Sequence, residues 1–318
     1  MADTFTQLSS VLSDQVAFDK MAYFALRDTL YFDQIADVKS TQTGTAVKFT
    51  IYSDLGVATS ALSETADVDA VPLSDAQITV TLVEQGNAVI TSAKLRGTSF
   101  FNVDEDAANI VGRNAALSLD AIIVAVLAAG TNVVYSGTAT ATNSIKTTDT
   151  CKALDVRKIR AAMVSAFVQP KTGGSYTGFI HPDVALDLMT ETGQAAWTAP
   201  HAYVDTDAFY TGEVGRFAGI RFIETARANI RVNASNGTSS AGNYDVYDTV
   251  VVGEQALAKA WSASDGGSEF PTIVHGATVD KLMRFKPVGW KQLVGYSLFR
   301  TAATRRIESY SSIGANAS

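Results

Sequence analysis

Three histidines and one cysteine are the residues of this 318-residue chain best suited to metal, nucleophilic or acid–base chemistry, and their spacing serves none of it. His181, His201 and His275 include no His-x-x-x-His pair of the kind a helix offers to zinc, and Cys151 has no second cysteine for a thiolate set or a disulfide. His181 stands before Pro182 and Asp183 at a strand-to-helix junction, where proline suits the first helical turn, so a structural role is expected. His201, next to Pro200 and close to Tyr203, reads as a core or interface histidine before a base. Neither a Gly-x-Ser-x-Gly elbow nor a phosphate-binding loop occurs. The glycines of Gly212, Gly215 and Gly219 have the wrong spacing for a dinucleotide fingerprint. A strand, Ile220–Ile223, follows where a helix would open, so the stretch reads as a tight hairpin over 212–225.

The densest chemistry is acidic. Between Asp54 and Asp75 lie Asp54, Glu64, Asp67, Asp69 and Asp75 with no lysine or arginine, yet none sits in an apolar setting that would raise its pKa for acid catalysis. The sequence therefore supplies no reaction and implies no cofactor and no metal.

What positions these carboxylates is a long hairpin, read over Thr45 to Leu95. Val47, Phe49 and Ile51 alternate with Lys48, Thr50 and Tyr52, and Ile78, Val80 and Leu82 alternate with Gln77, Thr79, Thr81 and Val83. Period-two alternation predicts strands with one apolar face. The acidic tip between them lacks the bulk to offset its ordering entropy, so it is expected to lie on a neighbouring subunit. Asn102 followed by Asp104, Glu105 and Asp106 predicts a capped helix running to about Ala129 and stopped by Gly130. Its apolar face is read as Ala107, Val111, Ala115, Ile122 and Val126, with Glu105, Asn109, Arg113 and Asp120 opposite. Further helices are read at Asp19–Thr29, Cys151–Val168, Val184–Thr190 and Glu254–Trp261, and strands at Tyr176–Ile180 and Asp248–Gly253. The stretches 131–150 and 229–243 read as polar surface insertions.

Charge is uneven. The first 150 residues hold 8 basic against 17 acidic side chains, whereas from residue 271 onward there are seven basic (Lys281, Arg284, Lys286, Lys291, Arg300, Arg305 and Arg306) against two acidic. Oppositely charged ends suit head-to-tail contact between copies, although two solvated surfaces would look the same. No basic cluster interleaved with aromatics marks sequence-specific nucleic-acid binding. The N-terminus lacks the pattern of a secretory signal, and the longest apolar run, Ala121–Ala129, is short of the roughly 20 residues that span a bilayer, so no membrane is expected.

The order of parts carries a resemblance: an arm, the long hairpin of Thr45–Leu95, the helix of Asp104–Ala129, then Phe179-Ile180-His181-Pro182-Asp183, the glycine hairpin of Gly212–Glu224, Val250–Glu254 and the closing Gly295–Ser309. In this order the chain resembles tailed-bacteriophage major capsid proteins. That resemblance implies an α+β fold of the Hong Kong ninety-seven type, with N-terminal arm (1–44), extended loop (45–95), spine helix and first part of the peripheral domain (96–175), axial domain with peripheral elements (176–270) and C-terminal strands returning to the peripheral domain (271–318). It implies hexamers and pentamers closing into an icosahedral shell around double-stranded DNA, with no catalytic site, a separate scaffolding protein and a portal as partners, and assembly in a bacterial cytoplasm. The hairpin tip, through Asp54, Glu64, Asp67 and Asp69, is expected to meet a neighbour's basic surface around Arg284, Lys286 and Lys291. Some members of that family weld neighbours through a loop lysine; from Asp54 to Gln77 this chain has none, so covalent welding is not expected. An encapsulin-type compartment shares the fold and stays open as an alternative at this stage, with a soluble enzyme more remote.

Overall fold

The computed structural model describes residues 32–313 apart from 42–43, 53–54, 60, 62–63, 66, 68–69, 100–102, 172–173, 192–212, 236–242, 264–267 and 278–279. The expected helix at Asp19–Thr29, the Asn102 cap, His201, Asp54 and Asp69 lie outside these residues.

Two sheets and one long helix make the framework. The helix, α2 (Val103–Ala128), follows a short helix α1 (Ala93–Thr98). The first sheet has five strands: β1 (Ala36–Thr41), β4 (Val83–Ser92), β11 (Leu257–Ser262), β12 (Thr272–His275) and the 14-residue β13 (Phe285–Leu298). β13 is its axis, pairing antiparallel with β4, β11 and β12, while β1 runs parallel to β11. The second sheet has seven strands in the order β5 (Val133–Tyr135), β14 (Thr304–Ser309), β10 (Tyr244–Val252), β6 (Tyr176–Ile180), β8 (Ile220–Glu224), β7 (Glu213–Phe217), with β9 (Ile230–Ser235) also on β10. Val246, Tyr247, Val250, Val251 and Val252 of β10 are all buried, the mark of a central strand covered on both faces. Helices α3 (Ala153–Ser165) and α4 (Pro182–Thr190) contribute Val156, Ile159, Met163, Val184 and Leu188 to its core.

α2 serves both sheets. Val111 and Ala115 pack on Trp290 of β13, and the indole Nε1 donates to Asn114 Oδ1 at 3.0 Å; farther on, Ile123 and Leu127 belong to the core of the seven-stranded sheet. The buried apolar positions are Ala107, Val111, Ala115, Leu119, Ile123 and Leu127, each four residues after the last. At 100° per residue a step of four advances 40°, so five steps carry the buried side about 200° around the helix. The expected single stripe with Ile122 and Val126 is therefore corrected: both are only partly covered, because the helix meets its two sheets on nearly opposite sides. Asp120, expected on the outer face, is buried and accepts from Arg227 Nε at 3.2 Å. With 26 residues α2 is long and apolar enough to cross a bilayer, but here it packs on both sheets with this ion pair along its side.

A second correction concerns Glu254–Trp261, expected as a helix following the strand Asp248–Gly253. Gln255 turns the chain with φ of +59°, and Leu257–Ser262 forms strand β11 between β1 and β13. Pairing on both sides overrides helix propensity here. Lys259 points inward at 1% exposure, its ammonium 2.8 Å from Asp33 Oδ2, a partner far away in sequence. The chain also crosses between the sheets more often than five consecutive segments anticipate. β5 and α3 belong with the seven-stranded sheet, β11 with the five-stranded one, and the last strand, β14, lies between β5 and β10 instead of beside β13.

Candidate assembly interface

The extended hairpin is built from β2 (Ala46–Tyr52) and β3 (Asp75–Thr81), paired antiparallel from Ala46↔Thr81 to Tyr52↔Asp75. Its return arm ends earlier than Leu95. Leu82 N closes the base on Thr45 O at 2.8 Å, and from Val83 the chain leaves as β4 to pair with β13 along ten residues. Ser92 then caps α1, accepting from Leu95 N at 3.2 Å.

The root of the hairpin is fastened to its own subunit. Val47, Phe49, Val80 and Leu82 form a buried cluster with Ala258, Ala260 and Phe299, the Phe49 and Phe299 rings lying 5.3 Å apart between centroids. Lys39 Nζ donates to Lys48 O at 3.2 Å and sits 5.0 Å above the Phe49 ring. At Gly295 a Cβ would collide with Thr81 O, so only glycine lets β13 pass this close to the hairpin.

The tip is different. Leu55, Val57, Val71 and Leu73 are all at least 61% exposed, and Glu64 and Asp67 are exposed beside them. A branched apolar group left in water forgoes about 1.5–3 kcal/mol of burial. Four such groups on one projection form a larger exposed apolar surface than isolated surface residues do.

The basic residues expected to receive it are only partly brought together. Arg284, Lys286 and Lys291 are all exposed, but the unbroken register of β13 with β4 puts 286 and 291 on opposite faces of the sheet. Arg284 is engaged within its own turn, its Nε 2.7 Å from Asp280 Oδ2. What gathers beside it was not visible in the sequence: α1 is tied to this end of the sheet by Ala93 N→Arg284 O at 2.7 Å and Arg96 Nη2→Arg284 O at 3.3 Å. Lys94 and Leu95 thereby join Lys281, Leu282, Met283 and Lys286 in one exposed, basic and apolar end. Leu282 and Met283 are at least 70% exposed, and Met283 holds a φ of +54°, a strained backbone that keeps the turn sharp. The only signal for α1 was the serine at the end of the alternating stretch.

The residues first considered for chemistry have structural roles where they are described. His181 is the N-cap of α4, its Nδ1 accepting from Asp183 N at 3.2 Å with Pro182 at the first helical position. His275 ends β12 at the surface. Cys151 is buried, and burial pushes its thiol far above the reactive range. The glycine stretch is the β7–β8 hairpin, turning at Ala218 and Gly219 with φ of +51° and +78°. Among the described residues no group of three or more His, Cys, Asp or Glu could hold a metal ion.

A sequence-family profile described as phage capsid protein matches residues 7–313. No curated protein sequence matches the chain. Among solved structures, the capsid of Ralstonia phage GP4 superposes with a TM-score of 0.70 at 15% identity, covering 92% of this chain and 94% of that one. The capsid of Helicobacter pylori bacteriophage KHP30 gives 0.70 at 15% identity over 97% and 99% of the two chains, and that of cyanophage P-SCSP1u gives 0.68 at 15% over 97% and 96%. With both the near-complete family match and the shared architecture of hairpin, spine helix and two sheets, the chain belongs to the phage capsid protein family and has the Hong Kong ninety-seven type fold.

Proposed function

We propose that copies of this chain assemble as hexamers and pentamers of an icosahedral shell around double-stranded DNA, each hairpin tip lying across the neighbouring subunit. The observation that carries this reading is the contrast along the hairpin itself: a root buried on its own body and a tip whose apolar side chains find nothing there. The end of the five-stranded sheet formed by α1 and the β12–β13 turn supports it, since Lys94, Lys281 and Lys286 complement the Glu64 and Asp67 of a tip while Leu95, Leu282 and Met283 offer apolar area. Contacts of this size are individually weak and become strong by repetition around a closed shell. DNA is held as bulk cargo, a scaffolding protein and portal act as separate partners, and the chain's role is structural. The test is electron microscopy of the chain expressed by itself and with its genomic neighbours: shells, or hexameric and pentameric rings, are expected. A stable monomer at micromolar concentration under every condition would refute the reading.

A further inference from the structure

The C-terminal end of α2 is held by side chains of the seven-stranded sheet. Arg306 Nη1 donates to Ala128 O at 2.7 Å and also to Gly130 O, and Arg231 Nη2 donates to the same Ala128 O at 3.0 Å. Two cations at the negative end of a helix dipole are well placed, and both donate to the carbonyl of the last helical residue. A carboxylate orients each guanidinium in turn: Arg306 Nε donates to Glu308 Oε1 at 2.9 Å, and Arg231 Nε to Asp248 Oδ2 at 3.0 Å. Both carboxylate side chains are fully buried. The four charges balance only while both carboxylates are ionised.

Asp248 is the weaker of the two anchors. Its Oδ2 also accepts from Asn229 Nδ2 at 2.6 Å, but Oδ1 has no partner among the described residues, and the residue lines a small cavity otherwise walled by groups such as Phe32, Leu127 and Phe179, with room for about one water molecule. Glu308, by contrast, has both oxygens engaged, Oε2 accepting from Thr142 Oγ1 at 2.6 Å.

We propose that this cluster is an acid-loosened latch between the seven-stranded sheet and the spine helix: Asp248 takes up a proton, the cluster is left with one excess positive charge, and Arg231 turns to solvent, giving up its 3.7 Å approach to Glu308 Oε1 and leaving the Ala128 carbonyl to Arg306 alone. Arg231 is the guanidinium that leaves because its side chain is 29% exposed, against 10% for Arg306. The charged and titratable groups around Asp248 are Arg231 on β9 with Asn229 just before it, Arg306 and Glu308 on β14, and Tyr135 on β5, which acts through Arg231; β6 offers the apolar Phe179. His181 and Asp183 contact Tyr247, whose side chain lies on the other face of β10. Burial raises the Asp248 carboxyl above the ordinary carboxylate value, against the lowering by Asn229 and Arg231 and with Glu308 adding to the rise. The folded chain thus binds this proton more readily than the unfolded chain, and the Asp248 contribution to stability grows as pH falls through the raised value. Because α2 packs on both sheets, loosening its end to a single guanidinium eases a change in the angle between them.

Hydrogen exchange of the amides of residues 124–132 in the full-length chain, corrected for intrinsic rates, tests this at pH 7 and at pH values stepping down into the range where carboxylates protonate. The expected result is about tenfold lower protection in acid, the loss of one helix-end contact, while the β10 amides keep theirs. Asp248→Asn, neutral at every pH, is expected to show the lower protection throughout and no pH dependence. Wild-type protection that does not change with pH, or an Asp248→Asn chain that keeps the wild-type pH profile, would overturn the proposal; the first outcome decides even if the variant fails to fold.

Discussion

The hairpin tip and the end of the spine helix solve opposite problems with the same kinds of residue. At Ala128 two guanidinium groups, each held by a carboxylate of the same chain, meet the helix-end carbonyl, and of the buried side-chain atoms in this cluster Asp248 Oδ1 lacks a partner among the described residues. At the tip, four large apolar groups stand in water beside carboxylates that have no basic residue within 54–77. The difference lies within one hairpin: up to Tyr52 and Asp75 its strands pair with each other above a root packed on the subunit's own body, and beyond them the large apolar side chains that are described stay exposed.

The sharpest way to break the comparison is to remove one side of it. Replacing residues 55–73 with a short Gly-Ser turn is expected to abolish shell formation outright while leaving the subunit's denaturant midpoint unchanged, since the described residues of that segment are all exposed; electron microscopy and an unfolding curve read the two arms. Next in size is Trp290→Ala, which empties the contact between α2 and β13 and is expected to cost about 3–5 kcal/mol in subunit stability by denaturant unfolding. Leu282→Asp with Met283→Asp is expected to leave the melting temperature of the isolated subunit unchanged and to raise the concentration needed for assembly by an order of magnitude or more, as about 2 kcal/mol of lost apolar burial per contact implies. Lys286→Glu is expected to be milder still, slowing assembly at low salt with the effect fading as ionic strength rises. Smallest of all, mature particles on a denaturing gel are expected to give a single band near 33.6 kDa, because the tip carries no lysine for welding; a covalent ladder would contradict this.

Much of this architecture was legible because alternation and capping are local. Val47, Phe49, Ile51 and their partners on β3 announced their strands, and the carboxylates of Asp104 to Asp106 announced the start of α2. What stayed hidden depends on distant parts of the chain. The buried positions of α2 wind around the helix because two sheets claim it, a fact no single stripe encodes. Lys259 of β11 is buried against Asp33, a partner 226 residues away that no local pattern indicates. The receiving end was half legible. Arg284 and Lys286 stand out as a basic pair, whereas no local spacing rule points to Lys94 and Leu95, which reach the site only because α1 folds back onto Arg284 O.

Electron cryomicroscopy of assembled particles tests the central claim most directly. Density for residues 55–73 is predicted to cross to the adjacent subunit and rest on the end formed by α1 and the β12–β13 turn. Density for the same residues folded back on their own five-stranded sheet, with no neighbouring chain in contact, would contradict it.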